Sequence, residues 1–156
     1  TAGIGSSTHV GAELFRSLAE VQVELVHYRG GGPAVAALVA GEAQFGTPTM
    51  ASSLGQVRGG GLRALMVLGA TRSPTLPDVP SAPEAGMPRL VNEEFFPILV
   101  PAATPAPVVA ALGAAFGAAI RQTAARLTEV AGVAPRAGFD TPAAVMNLVR
   151  ENVEGY

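Results

Sequence analysis

The sequence predicts an α/β fold in which a mostly parallel sheet is flanked by helices. Three segments with strand character, at residues 21–28, 45–49 and 62–68, alternate with short helical segments. Glycine-rich loops recur where helices begin, at residues 3–5 and 30–32. With 49% hydrophobic and 14% charged residues, the 156-residue chain has enough apolar side chains to bury a core.

The composition argues against several kinds of function. The net charge is −2 and the ten basic residues are dispersed, whereas a nucleic-acid groove needs a basic stripe. The absence of cysteine excludes disulfides, thiolate catalysis and thiolate metal sites. The two histidines, His9 and His27, make a poor ligand set for a metal. We therefore expect no nucleic-acid partner, no metal and no cofactor.

The first element is a loop of glycines and hydroxyl residues that leads into a helix. Gly3 and Gly5 permit sharp turns, residues 6–8 offer hydroxyls that can cap a helix, and apolar residues recur at helical spacing over residues 10–18. The first N–H groups of such a helix lack intrahelical partners, and the helix dipole adds partial positive charge. The loop is therefore predicted to hold an anion without a Lys or Arg, although the same pattern is also an ordinary way to begin a helix.

Two further combinations of strand, loop and helix follow. Residues 21–28 alternate apolar and polar side chains, as a half-buried strand does, and the glycines and proline of residues 30–33 then start a second helix. Residues 45–49 predict a short strand that leads into a third helix. Residues 62–68 are nearly all apolar, as expected of a strand covered on both faces.

The second half of the chain is predicted to contain a long loop and two helices. Residues 72–88 form a proline-rich surface loop, and residues 95–100 form an apolar strand in which Pro97 favours an edge position. Pro105 and Pro142 each precede or open a helical segment. Because Gly, Pro or Arg interrupts each Ala-rich stretch, no membrane-spanning segment is expected.

The ends of neighbouring parallel strands meet at one rim of a sheet. Tyr28 and Thr49, which follow the first two predicted strands, are therefore expected beside the first loop. Phe95 starts a later strand directly after the acidic pair of residues 93–94 and is a further candidate to face a cleft.

Two catalytic or cofactor interpretations compete with anion binding. The first loop together with Glu24 resembles a dinucleotide fingerprint, but the third glycine of that fingerprint is missing. Ser6 or Ser7 beside His9 suggests a nucleophile and a base, although residues so close together at a helix start usually cap it. The alternative hypothesis is thus a small α/β hydrolase or transferase that uses Ser6 and His9.

Five motifs, which together cover nearly the whole chain, resemble those of the Bug, or TctC-like, family and follow the same order as in that family. Its members are extracytoplasmic solute-binding receptors of tripartite tricarboxylate transporters. The most specific motif is the fourth. The motifs are Gly3-x-Gly5-Ser6-x-x-His9, Tyr28-Arg29-Gly30-x-x-Pro33-Ala34, Gly60-x-Leu62-Arg63-Ala64-Leu65, Arg72-Ser73-Pro74-x-Leu76-Pro77-Asp78-Val79-Pro80-Ser81-x-x-Glu84-Ala85-Gly86 and Pro101-Ala102-x-Thr104-Pro105-x-Pro107.

The resemblance implies one lobe of a type II periplasmic-binding-protein-like fold. Residues 1–100 would form the second ligand-binding lobe, and residues 101–156 would form a C-terminal helical segment that in the intact family returns to a first lobe. The first lobe and the signal peptide are expected to be missing from this chain. The implied function is capture of a di- or tricarboxylate, or a related organic acid, for the membrane subunits of the transporter. The resemblance thus implies a protein that binds its ligand in the periplasm and catalyses no reaction.

The resemblance also implies which residues contact the carboxylate. Departures from the family pattern at Gln44, where an acidic residue is common, and at Pro48, where Asp is frequent, bear on which ligand is bound. The implied binding residues are Gly5, Ser6, Ser7 and His9 in the first loop, Tyr28, Gly30, Gly31, Gly32, Pro33 and Ala34 in the neighbouring loop, Thr49, and Phe95 at an aromatic position.

A stripe of apolar residues in the first C-terminal helix would lose its partner surface if the first lobe were absent. Burying four such side chains stabilises a protein by roughly 6–12 kcal/mol, which is too much to leave exposed to water. We therefore expect a homodimer formed through the C-terminal helices. The stripe consists of Val108, Leu112, Phe116 and Ile120.

Overall fold

The computed structural model describes residues 1–135 and 141–154, and this part of the chain contains five helices. It divides into two compact units. The first unit comprises Thr1–Glu94 and Glu129–Val133, and the second comprises Phe95–Thr128 and the described residues from Ala134 onward. The helices are α1 (Ser7–Ala19), α2 (Gly31–Val39), α3 (Met50–Arg58), α4 (Ala106–Ala131) and α5 (Pro142–Glu154).

Helix α1 begins and ends where its local chemistry dictates. Ser6 has an extended backbone and its side chain accepts a hydrogen bond from the backbone N–H of His9, which is the usual N-cap arrangement. Glu20 ends the helix in the left-handed region with a φ of 54°. Thr8, Gly11 and Ala12 are buried and form the inner face of the helix.

Helices α2 and α3 contact each other at their first turns. A Cβ atom at Gly31 would lie only 2.9 Å from the Cβ of Ser52, so a larger residue at position 31 would push the two helices apart. The two helices supply much of the core of the first unit, including Val35 at 5% exposure and Leu54 at 1% exposure. The starts of α2 and α3 are thereby fixed side by side.

The structure differs from the sequence-based prediction at the expected strands. The described residues contain no strand, so the expected mostly parallel sheet is not found in them. One parallel bridge joins Val67 and Ser81, and Asn92 N–H donates to the Leu68 carbonyl at 2.8 Å. Alternating side chains predict an extended backbone, but a strand also needs a neighbour that pairs over several residues. These segments have only isolated pairings.

The proline-rich segment that follows is held by one carboxylate. The side chain of Glu84 accepts hydrogen bonds from Arg72 Nε, from the Ser81 N–H and from the Ser81 hydroxyl, all within 3.0 Å. Arg72 also donates to the Pro77 carbonyl at 2.9 Å. These bonds, led by the one from Arg72, lower the pKa of Glu84 from its ordinary value of 4.5 to about 2. The segment is therefore a loop organised by its own side chains.

The second unit contains most of α4, which leaves its apolar side chains exposed. Val108, Leu112 and Phe116 are 46%, 36% and 42% exposed. The helix continues through Gly113 and Gly117 and, by length and composition alone, is long and apolar enough to cross a membrane. The interruptions by Gly and Arg, on which the expectation of no membrane-spanning segment was based, did not end the helix. One helix of this kind is weak evidence for a span, since core helices of soluble proteins meet the same criteria.

Glu84→Gln should reduce the acid sensitivity of folding. A carboxylate with a lowered pKa stabilises the fold fully above its ordinary pKa of 4.5, and this stabilisation is lost as the pH falls towards about 2. The melting temperature of the wild-type chain should therefore exceed that of the variant most above pH 4.5, and the difference should shrink between pH 4.5 and about 2. Thermal unfolding followed by circular dichroism measures this difference. Glu42→Gln, at an exposed residue, is the control, and a pH-independent difference for Glu84→Gln would contradict the account.

Candidate functional site

The loop before α1 is built around the Ser6 side chain. The Ser6 hydroxyl donates to the Gly3 carbonyl at 2.7 Å and accepts from His9 N–H at 3.2 Å. Gly5 has a φ of +76° and Gly3 a φ of +139°, conformations that L side chains rarely adopt. The two glycines that the sequence analysis singled out are thus required by the turn itself.

Thr8 is a central residue of this region that the sequence analysis did not select. Its hydroxyl, in a residue only 4% exposed, accepts from Ala2 N–H at 2.7 Å and lies 2.9 Å from the Ser6 hydroxyl. Its backbone carbonyl accepts from the Thr47 hydroxyl at 2.7 Å. Thr8 therefore connects the first loop with the chain before it and with the segment that leads into α3.

The second glycine loop lies against the first. Gly30 N–H donates to the Ala2 carbonyl and Tyr28 N–H to the Thr1 carbonyl, each at 3.0 Å. Gly30 has a φ of +114°, which favours glycine at this turn. The backbone that precedes α2 is thus hydrogen-bonded to the backbone that precedes α1.

The start of α3 completes the group. The Thr49 carbonyl accepts from the hydroxyls of Ser52 and Ser53 at 3.0 and 2.9 Å, and Thr49 Oγ1 lies 3.0 Å from Ser52 Oγ. Because Ser52 is also in close contact with Gly31, the N-termini of α2 and α3 adjoin. Thr47 provides the link to α1 described above. The first turns of α2 and α3 are therefore in direct contact, and hydrogen bonds link the segments around the start of α1 to the segments that precede α2 and α3.

These first turns present backbone N–H groups without internal partners. Among the described residues, no hydrogen bond is made by the N–H groups of Ser7, Thr8, Gly31 or Gly32. Each helix adds partial positive charge at its start. No Arg side chain in the described ranges hydrogen-bonds to these loops. The arrangement is suited to an anion held by main-chain amides.

The two histidines lie together at the edge of this region. His9 Nδ1 accepts from Gly5 N–H at 3.0 Å, and the His9 ring contacts that of His27 edge-on with centroids 4.8 Å apart. Glu13, one helical turn after His9, places its carboxylate 3.6 Å from Nε2, a pair that the sequence analysis overlooked. The described residues contain no group of three potential metal-ligating side chains. Because its Nδ1 accepts from Gly5 N–H, His9 fixes the conformation of the first loop at Gly5.

The geometry does not support the hydrolase alternative. Within residues 1–135 and 141–154, the Ser6 hydroxyl and the His9 ring are not hydrogen-bonded to each other. Ser6 Oγ is engaged with Gly3 and Thr8, and His9 Nδ1 with Gly5. A nucleophile needs its base within hydrogen-bonding reach. These two side chains instead shape the start of a helix.

The remaining predicted residues have different surroundings. Ala34 is 7% exposed and its N–H donates to the Gly30 carbonyl at 3.3 Å, so Ala34 is a buried residue that stabilises the loop. Gly32 and Pro33 are exposed and Tyr28 is half-buried. Phe95 is the first residue of the second unit, and its role at the site stays a prediction.

A carboxylate from the chain itself also reaches the first loop. The Ser7 hydroxyl donates to Glu94 Oε1 at 2.8 Å, and Asn92 Nδ2 donates to the Ser7 carbonyl at 2.8 Å. The sequence analysis named neither contact, because they join residues more than 80 positions apart. The acidic pair before Phe95 was the only signal in the sequence.

Comparison with known families gives a match over nearly the whole chain. The family described as "Tripartite tricarboxylate transporter family receptor", TctC, matches residues 1–153. Protein BugT of Bordetella pertussis is 35% identical over 101 residues, which are 65% of this chain and 31% of BugT. An uncharacterised-family protein of Pseudomonas sp. strain P51, encoded between tcbD and tcbE, is 38% identical over 89 residues, or 56% of this chain and 26% of that protein.

Solved structures resemble this chain over almost its full length. MatC from Rhodopseudomonas palustris with bound malate is 31% identical, with a TM-score of 0.84, and the match covers 97% of this chain and 52% of MatC. The R. palustris protein Rpa4515 with adipate is 26% identical, with a TM-score of 0.89, and the match covers 99% of this chain and 51% of that protein. Another similar structure, 28% identical, is a periplasmic transporter. The chain thus spans about half the length of these proteins.

Proposed function

Because this chain belongs to the tripartite tricarboxylate transporter receptor family, we propose that its first unit carries one half of a periplasmic carboxylate-binding site. The carboxylate is held at the first turns of α1 and α2, beside the start of α3. The observation that carries the proposal is the set of unpartnered N–H groups on Ser7, Thr8, Gly31 and Gly32. The malate and adipate bound to the two similar R. palustris proteins support the choice of ligand class.

The mechanism requires binding and no covalent chemistry. A carboxylate accepts only, so each free N–H group can donate to it, and hydrogen bonds to charged groups are stronger than neutral ones. The pairing of Gly5 with His9 and of Gly30 with Ala2 keeps the loops in place before a ligand arrives. Since little has to be reordered on binding, the entropic cost of binding is small. In the whole receptor, the first lobe closes over the ligand and the membrane subunits of the transporter accept it.

The second part of the proposal concerns α4. Its apolar stripe is exposed in this chain, with Phe116 at 42% and Val108 at 46%. Exposed apolar surfaces of this kind mark interfaces. We place the same stripe of a second copy against it, so that the 156-residue chain forms a homodimer through its C-terminal helices. In the longer relatives, the remainder of the protein is the alternative partner for this helix.

Ser7→Pro should weaken carboxylate binding while Ser7→Ala leaves it nearly unchanged. Ser7 is the first residue of α1 and the preceding residue has ψ of 160°, so proline fits the backbone there and removes the N–H group together with the hydroxyl. Losing one hydrogen bond to a charged group should raise the Kd for malate or adipate roughly tenfold or more. Ser7→Ala keeps the N–H and removes the hydroxyl.

Titration calorimetry of the wild-type chain and both variants measures these dissociation constants. Circular dichroism of Ser7→Pro checks that α1 remains folded. Equal affinity of the wild-type chain and Ser7→Pro for both ligands would rule out the main-chain N–H of Ser7 as a ligand contact.

Phe116→Glu should convert the dimer into a monomer. A carboxylate in the middle of the apolar stripe would be buried without a partner on dimerisation, which is costly. Light scattering after size-exclusion chromatography at micromolar concentration measures the mass. Ala125→Glu, which lies about two and a half turns along α4 from Phe116 and thus on the opposite face of the helix, is the matched control and should remain dimeric. A monomeric wild-type chain would refute the dimer.

A further inference from the structure

The contact between Ser7 and Glu94 bears on which carboxylate the site accepts. A serine hydroxyl has one hydrogen to donate, and here it is given to Glu94 Oε1 at 2.8 Å. The Ser7 hydroxyl therefore offers only lone pairs to a ligand while this bond persists, whereas the Ser7 backbone N–H stays free to donate. The chain's own carboxylate stands beside the N–H groups proposed above to hold the ligand.

Glu94 is held there by the fold. Two residues earlier, Asn92 is anchored by bonds from Nδ2 to the Ser7 carbonyl and from its N–H to the Leu68 carbonyl, each 2.8 Å long. A Cβ atom at Gly11 would lie 2.8 Å from Asn92 Nδ2, so the close approach of this segment to α1 depends on glycine at position 11. The neighbouring Glu93 is directed elsewhere, since it accepts from Ala70 N–H at 3.2 Å.

The charge of Glu94 is not balanced by any basic side chain that the structure describes. Across the described residues no basic side chain forms an ion pair with Glu94, and its second oxygen, Oε2, has no hydrogen-bond partner. A ligand carboxylate entering beside Glu94 meets like charge, which disfavours a plain dicarboxylate. A ligand that also carries a cationic donor removes this penalty and gives Oε2 a partner.

We infer that Glu94 is a specificity-determining residue, which favours ligands bearing an ammonium group next to the carboxylate, that is, acidic amino acids over unsubstituted dicarboxylates. The inference rests on the proposed function, because it assumes that the ligand carboxylate lies at the start of α1. A hydroxyl next to the carboxylate, as in malate, supplies a donor without the positive charge. Hydroxy acids should therefore rank between the two.

Calorimetric titration of the full chain with succinate, malate and aspartate at neutral pH tests this order. The wild-type chain should bind aspartate roughly tenfold more tightly than succinate, the size of one charge-assisted hydrogen bond. Glu94→Gln and Glu94→Ala should reduce that ratio to about threefold or less, whereas Glu93→Gln, the adjacent control, should retain it. Glu94 is exposed, so its replacement removes no core contact.

The failures of the two proposals differ. A wild-type chain that prefers succinate, or a ratio unchanged in both Glu94 variants, overturns the role of Glu94 and leaves carboxylate binding intact. A wild-type chain that binds none of the three compounds overturns the proposed function and this inference with it.

Discussion

The first unit depends on how the backbone N–H groups at three helix starts are satisfied. Buried N–H groups without partners are costly, and the first turn of every helix has several. At α1, the Ser6 hydroxyl accepts from His9 N–H, while the buried Thr8 hydroxyl accepts from the preceding Ala2. The groups that remain unpaired, such as those of Ser7 and Gly31, have no partner among the described residues. The proposed function follows from these unpaired N–H groups.

The same arrangement would let the proposed site hold an anion without a basic side chain. Arginine would provide strong but mobile charge, whereas amides at a helix start are fixed by the backbone that carries them. Contacts between the loops, such as that of Thr8 with Thr47 and that of Gly31 with Ser52, maintain the spacing of these amides. In the proposed site, the spacing of these amides and the nearby charge of Glu94 would decide which anion fits.

Much of this could be predicted from the sequence, because it depends on local chemistry. Glycines, hydroxyl caps and prolines mark where helices begin, and the predicted start of the third helix at Met50 agrees with α3. The family itself was identified from motifs, and the match over residues 1–153 confirms it. Carboxylate binding by the family was also predicted, and the bound malate of MatC agrees with that prediction for a relative.

The rest could not be predicted because it depends on distant parts of the chain. The alternation of side chains at residues 21–28 predicts an extended backbone but carries no information on a pairing partner, and the expected sheet is not found in the described residues. Thr8 was passed over because a threonine in a first helical turn does not indicate whether it will be buried. Glu94 meets Ser7 only through the folded chain. The continuity of α4 through its glycines reflects the strong helix propensity of the surrounding alanines.

The central claim is that main-chain amides at the joined helix starts hold a carboxylate. Nuclear magnetic resonance tests it most directly, by following the amide signals of the ¹⁵N-labelled chain as malate is added. The account predicts that the largest, saturable shifts occur at Ser7, Thr8, Gly31 and Gly32, with little change along α4. Saturable shifts concentrated in α4, with those four amides unmoved, would contradict it.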